Sequence, residues 1–406
     1  MPVEPIRSLR PHLTATQSFA ARLGDVAGGP LALVIAIAVA VRLGVFAWAL
    51  VWPIPNESLF PVSPLNIQGY PDFAFYLRSL EQYRTLPIAE LFAKFVAFYQ
   101  SPFEEQFGHI IAGPFFPALM ELFDYRAGNT LPMALFYLVL DCAWAAIWLK
   151  YLSNRGMSAF WQLLLAIAPN PVWFMLVVSP DLVFALLVAL FFYFYMRDER
   201  RPRETLLWVG FLLLILLTRP NGYSVLLFVL VDFAWRNVKY RTQEPWGLLS
   251  IGLLALLFGL YLYPYFITEM RKTAEDNIFF GLPTSAYAAG LFRTLPEWLD
   301  LTVSWAALAG AKTLYFVGLR PSYGATSDIL VAFRALAGLV LLPGLVVAAL
   351  RAPMRERLFL GLFFLPIFLG PTQDRYNLPI YPLLFYYGST FYDALWARAR
   401  RLFAGP

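Results

Sequence analysis

Three short polar runs interrupt otherwise apolar sequence, and each carries charge: Ser179-Pro180-Asp181, Thr218-Arg219-Pro220-Asn221-Gly222 and Pro371-Thr372-Gln373-Asp374-Arg375-Tyr376. A guanidinium is a planar fork of donors that matches phosphate, so Arg219 and Arg375 read as an anion clamp. Asp181, Asn221, Asp374 and Tyr376 add a carboxylate, an amide, a second carboxylate and a phenol hydroxyl beside them. A fourth run, Gly69-Tyr70-Pro71-Asp72-Phe73-Ala74-Phe75-Tyr76, places Asp72 at a helix start, with Tyr76 one turn later. That position suits a carboxylate that takes part in chemistry, and it equally suits one that merely complements the helix dipole. His109 could touch a phosphate or an acceptor, or be an ordinary interfacial histidine. Lys272, beside Arg271, could be a second phosphate clamp or a solvated turn. With one cysteine, Cys142, and two histidines, the chain has no disulfide framework, and thiolate or His-rich metal sites are not expected. No nucleotide-binding glycine loop or Asp-x-Asp pair appears, so no tightly bound cofactor is expected, although a carboxylate-bound Mg²⁺ stays compatible with the residues.

The elements that would hold these groups follow from composition. At 60% hydrophobic and only 14% charged, the 406 residues cannot cover a water-soluble surface, and the expected class is an all-α polytopic membrane protein. Crossing hydrocarbon takes about 20 apolar residues, and ten candidate runs occur: 31–52, 131–148, 159–178, 182–196, 206–217, 223–235, 246–266, 329–350, 358–370 and 378–396. Stretch 301–318 is also apolar. Parity makes it re-entrant or interfacial, and if it crosses instead, the count becomes eleven. More than half of the basic residues fall in turns that share one side, which the positive-inside rule makes cytoplasmic. The domain reading is a cytoplasmic leader at 1–30, a transmembrane unit at 31–396 and a cytoplasmic tail at 397–406. Within that unit lie a first outer loop at 53–129 with interfacial helices and a second at 267–328. The formal charge of +5 is then a matter of topology, and no nucleic-acid partner is expected.

Runs 182–196, 206–217, 223–235 and 358–370 are too short to cross upright, and Arg-rich loops pin their inner ends. The missing length must be lost at the outer ends, which sinks the three polar turns below the lipid surface. Irregular backbone at that depth is tolerated where it lines a wet cavity or is covered by protein. A charge there costs about 2.5–3.5 kcal/mol on insertion scales, so it marks either function or mutual pairing of Asp181 or Asp374 with Arg219 or Arg375. An outward cavity containing fixed positive charge suits the phosphate of a lipid whose tail stays in the bilayer.

These residues resemble the GT-C superfamily of polyprenyl-phosphate-sugar-dependent glycosyltransferases. The resemblance rests on Asp72 with Tyr76 and on Gly113-Pro114-Phe115-Phe116-Pro117-Ala118-Leu119. It also rests on Asn170-Pro171 before Ser179-Pro180-Asp181-Leu182-Val183-Phe184, on Thr218-Arg219-Pro220-Asn221-Gly222, and on Asp374-Arg375-Tyr376-Asn377-Leu378-Pro379-Ile380-Tyr381-Pro382. The turns look like those of GPI-type and related bacterial mannosyltransferases and of protein O-mannosyltransferase-like enzymes; together they cover about residues 30–395. The first-loop acid is a lone Asp72 rather than an acidic pair, and no Trp-Trp-Asp element of oligosaccharyltransferases is present. The resemblance implies a GT-C-like bundle in a bacterial plasma membrane, working on its outer face. A hexose or pentose, mannose favoured, would pass with inversion from a polyprenyl-phosphate donor to a lipid, glycan or protein hydroxyl. Asp72 would act as base and Arg219, Arg375 and Lys272 would bind the donor phosphate. Asp181, Asn221, Tyr76, His109, Asp374 and Tyr376 would contact sugar or acceptor. Two other functions fit the same placement of charge. One is a transporter or flippase for a lipid-linked sugar, the other a glycan polymerase or ligase with a diphosphate donor.

Overall fold

Proline sets where helices begin in this chain. Its missing N–H and fixed φ suit a helix's first turn, and Pro30, Pro132, Pro169 and Pro180 all sit there. The structure, a computed structural model, describes residues 29–53, 63–65, 115–126, 128–197, 202–219, 222–240, 294–319, 328–369 and 374–403, with pieces of one to four residues within 79–93, 249–256 and at 290. Among these the fold is all-α, without strands. The helices are α1 (Pro30–Val51), α2 (Phe115–Leu122), α3 (Leu131–Asn154), α4 (Ala159–Ala166), α5 (Pro169–Phe174) and α6 (Pro180–Tyr195). After these come α7 (Pro202–Thr218), α8 (Gly222–Tyr240), α9 (Glu297–Phe316), α10 (Asp328–Arg351), α11 (Met354–Leu369), a 3₁₀ turn (Asp374–Asn377) and α12 (Tyr381–Phe403). Three helical stretches are long and apolar enough to cross a membrane: Pro30–Val51, Leu131–Asn154 and Ala332–Arg351. They mark a multi-pass membrane protein.

The run 159–178 is not the single span its apolarity suggests. Pro169 cannot donate to the turn before it, and Ala168, restricted by the following proline, adopts φ −56° and ψ 123°, so α4 stops and α5 starts anew. The break leaves the carbonyl of Ala166 without a helical partner, and Arg42 of α1 donates Nη1 to it at 2.9 Å. Arg42 also donates Nε to Asp141 of α3 at 2.7 Å; both side chains are 0% exposed. A charged pair between apolar helices thus caps a helix end as well as neutralising itself.

The four short runs are longer as helices than as apolar stretches. α6 and α11 have 16 residues, α7 has 17 and α8 has 19. At 1.5 Å per residue they reach about 24–28 Å, still under the roughly 30 Å of hydrocarbon. For α7, α8 and α11 the gain lies mostly at one end, because helix continues through residues whose charges are paired. Glu204 accepts from Arg197 at 2.8 Å and Asp232 from Arg236 at 2.6 Å, while Glu356 accepts from Arg155 at 2.6 Å. Asp232 also accepts from Tyr195 and from Arg355, which ties α6, α8 and α11 together at this far end of the bundle.

Aromatic packing fills the middle: Phe192 of α6 lies 5.5 Å from Trp148 of α3 and 4.9 Å from Phe359 of α11 between ring centroids. α10 and α12 approach closely through glycines. A Cβ at Gly344 would run into the carbonyl of Leu384, and one at Gly388 into that of Val340. Small residues at a crossing let backbones meet where lipid offers no hydrophobic drive. Of the stretch 301–318, residues 301–316 lie in α9, one unbroken 20-residue helix.

Candidate functional site

The site starts from a helix cap. Ser179 is extended (φ −147°, ψ 161°) and precedes Pro180, and its Oγ accepts from the backbone N–H of Asp181 at 3.4 Å. The same hydroxyl donates to Asp181 Oδ2 at 3.0 Å, so the acid is held in the first turn of α6, where the helix dipole favours negative charge. From α3, the buried Tyr137 hydroxyl donates to the Ser179 carbonyl. These contacts fix the acid before any cation reaches it.

Arg219 supplies the cation. It follows α7 in a tight turn, closed by a Gly222 N–H donating to the Arg219 carbonyl at 3.0 Å. Any Cβ at Gly222 would lie 2.8 Å from the carbonyl of Ile215, so this turn needs glycine where α8 begins. Arg219 Nη1 donates to Asp181 Oδ1; the two side chains are 13% and 3% exposed. The third turn completes the group. The Arg219 guanidinium sits 5.2 Å from the ring centre of Tyr376, and that of Arg375 sits 5.3 Å from the same ring. Two guanidiniums therefore share one aromatic ring, and the ring's negative face offsets part of their repulsion.

Asn377 anchors this third turn. It is 0% exposed, and its Nδ2 donates to the carbonyl of Phe316, the last residue of α9, at 2.7 Å. Neither Asn377 nor the Tyr137–Ser179 contact carried a signal in spacing. Asn377 adjoins Tyr376 in a run singled out for its charge, and Tyr137 looks like one more aromatic in an apolar helix.

No protein-family model, curated protein or solved structure matches this chain.

Of the residues singled out from sequence, Asp181, Arg219, Arg375 and Tyr376 come together at one end of the bundle. Asp72, Tyr76, His109, Asn221 and Lys272 lie outside the described residues, as does the side chain of Asp374. Asp181 pairs with Arg219, the mutual pairing that stood in the sequence beside a ligand-binding role for the two residues. A carboxylate already bound to a guanidinium is a poor general base, and it serves to hold that guanidinium in place. Among the described residues, only Nη1 of Arg219's donors is engaged in a hydrogen bond, which leaves Nε and Nη2 able to bind an anion. Among the described residues no group of three His, Cys, Asp or Glu could hold a metal ion. Two guanidiniums about one ring, one of them held by a carboxylate, are an arrangement with the charge and the donors to bind an anion.

Proposed function

We propose that this protein is an inverting glycosyltransferase that takes a sugar from a polyprenyl-phosphate carrier and transfers it to an acceptor hydroxyl, on the outer face of the membrane. What carries the reading is the meeting of three turns, distant in sequence, in one Asp181–Arg219–Tyr376–Arg375 cluster at the ends of helices too short to span hydrocarbon upright. Two arginines beside an apolar bundle fit a phosphate whose lipid tail lies among the helices.

In this mechanism Asp72 removes the acceptor's proton and the acceptor oxygen attacks the anomeric carbon. The bond from that carbon to the phosphate oxygen breaks, leaving polyprenyl phosphate with the electron pair. Arg219 and Arg375 stabilise the charge that grows on the departing phosphate. Asp181 keeps Arg219 aimed. Mannose is the favoured sugar on the resemblance in the turns alone, and the acceptor is a lipid, a glycan or a protein hydroxyl.

The test is purified protein in lipid with a panel of polyprenyl-phosphate sugars, scored by release of polyprenyl phosphate. Wild type should release it from at least one donor, and Asp72→Asn should slow release by about 10²-fold or more. Undiminished turnover by Asp72→Asn would remove Asp72 as the base. Passage of intact donor across vesicles without bond cleavage would replace the transferase reading with a transporter.

A further inference from the structure

The turn that carries Arg375, and the Tyr376 ring shared by both arginines, is fastened to a part of the chain with no assigned role. α9 ends at Phe316, and its carbonyl, one of the last four without a helical partner, accepts the 2.7 Å bond from Asn377 Nδ2. Around that bond the end of α9 is locked on two further sides. The ring of Phe316 meets that of Phe364 on α11 edge-on at 5.0 Å, and Gly318, at φ +90°, lies where a Cβ would be 2.8 Å from the carbonyl of Arg334 on α10. On the other side of Asn377, its carbonyl accepts from Ile380 N–H at 2.9 Å and Leu378 N–H donates to the Arg375 carbonyl at 3.3 Å, so the turn is internally stiff. A stiff turn joined to a locked helix end has its position set by that join.

We propose that Asn377 is a positioning residue for the donor phosphate. By bridging the end of α9 to the Arg375–Tyr376 turn, it makes α9 the element that sets the separation of Arg375 from Arg219. The proposal rests on the glycosyltransferase reading of the same cluster. Asn377 touches no reacting atom; it acts through Arg375 and Tyr376. Its amide is buried, and among the described residues this is the one bond that Nδ2 makes, so its loss lets the turn drift relative to α7 and α6. The arginines then meet one phosphate less well, while Asp72, the base proposed for the acceptor, belongs to another segment of the chain.

The experiment compares wild type, Asn377→Ala and Gly318→Ala, the last of which displaces the end of α9 from α10 without altering any residue of the cluster. Measurements are binding of a short-chain polyprenyl phosphate in mixed micelles, KM for donor and for acceptor, kcat, and the unfolding temperature. Both variants should raise the donor KM and weaken polyprenyl-phosphate binding by about five- to tenfold, the worth of one net hydrogen bond, with the acceptor KM unchanged. Donor affinity equal to wild type in Asn377→Ala overturns the proposal, whether or not its unfolding temperature falls. Equal losses in donor and acceptor KM also overturn it, because they mark general loosening. Should Asn377→Ala not fold, Gly318→Ala decides by the same criteria. A wild type that neither binds polyprenyl phosphate nor uses any donor removes the transferase reading and this inference together. Wild-type turnover with unaffected variants removes only this inference.

Discussion

Asp181 and Arg219 answer to two demands at once. At 3% and 13% exposure they are nearly out of water, where either charge alone is costly and the pair is tolerable. Among the described residues the same pairing engages only Nη1 of Arg219, which on the proposed function leaves donors for the phosphate. A double-mutant cycle separates the two roles. Arg219→Ala strands a buried carboxylate and should cost about 3 kcal/mol of stability, whereas Arg219→Ala with Asp181→Asn should recover most of that loss. Polyprenyl-phosphate binding should stay lost in both, because no neutral carboxamide replaces a guanidinium fork. Unfolding midpoints in detergent give the first quantity and ligand titration the second. A double variant as unstable as the sum of the singles would mean that the pair is not coupled.

Helices show which features hydropathy reads and which it misses. The runs behind α1 and α10 match their helices closely, because a long apolar stretch has no better state in a membrane than a helix, whereas the run behind α3 stops six residues short of its helix. The break at Pro169 was written in the sequence, yet an apolar window counts proline as neutral and runs straight through it. The ends of α7, α8 and α11 were misplaced for the opposite reason: charged residues stop an apolar count, but Glu204, Arg236 and Glu356 find partners of opposite charge that let the helix go on. Pairings across the fold, such as Arg42 with Asp141 and Asn377 with Phe316, have no local signature at all. In the site, the charge-bearing turns were legible, and the groups that aim them were not. Glycine at the α10–α12 crossing gives an element-scale prediction. Gly388→Ala must push the backbones apart and should cost about 1–3 kcal/mol, read as a lowered unfolding temperature. Gly361→Ala on α11, where a Cβ meets nothing within 4 Å, should be neutral or slightly stabilising. Equal behaviour of the two variants would show that the crossing is looser than its geometry.

At the scale of the molecule, the bundle has two chemically different ends. Arg155, Arg197, Arg236 and Arg355 gather at one, bound to Asp232, Glu204 and Glu356; the other holds the arginine–tyrosine cluster. Basic residues near helix ends are retained on the cytoplasmic side, so the far end should face the cytoplasm and the cluster should open outward. That orientation is what a lipid-linked donor used on the outer face requires. In a Cys142→Ser background, Arg126→Cys lies between α2 and α3 at 71% exposure, and the exposed Arg401→Cys lies in the last turn of α12. A membrane-impermeant maleimide applied to intact cells should label position 126 and spare 401 until the membrane is opened. Labelling of 401 alone would invert the molecule and move the cluster to the cytoplasmic face. Labelling of both before permeabilisation would deny that the two ends lie on opposite sides. Only the first pattern lets the paired arginines meet a phosphate presented from the outer leaflet while the Asp232 network holds the other end closed.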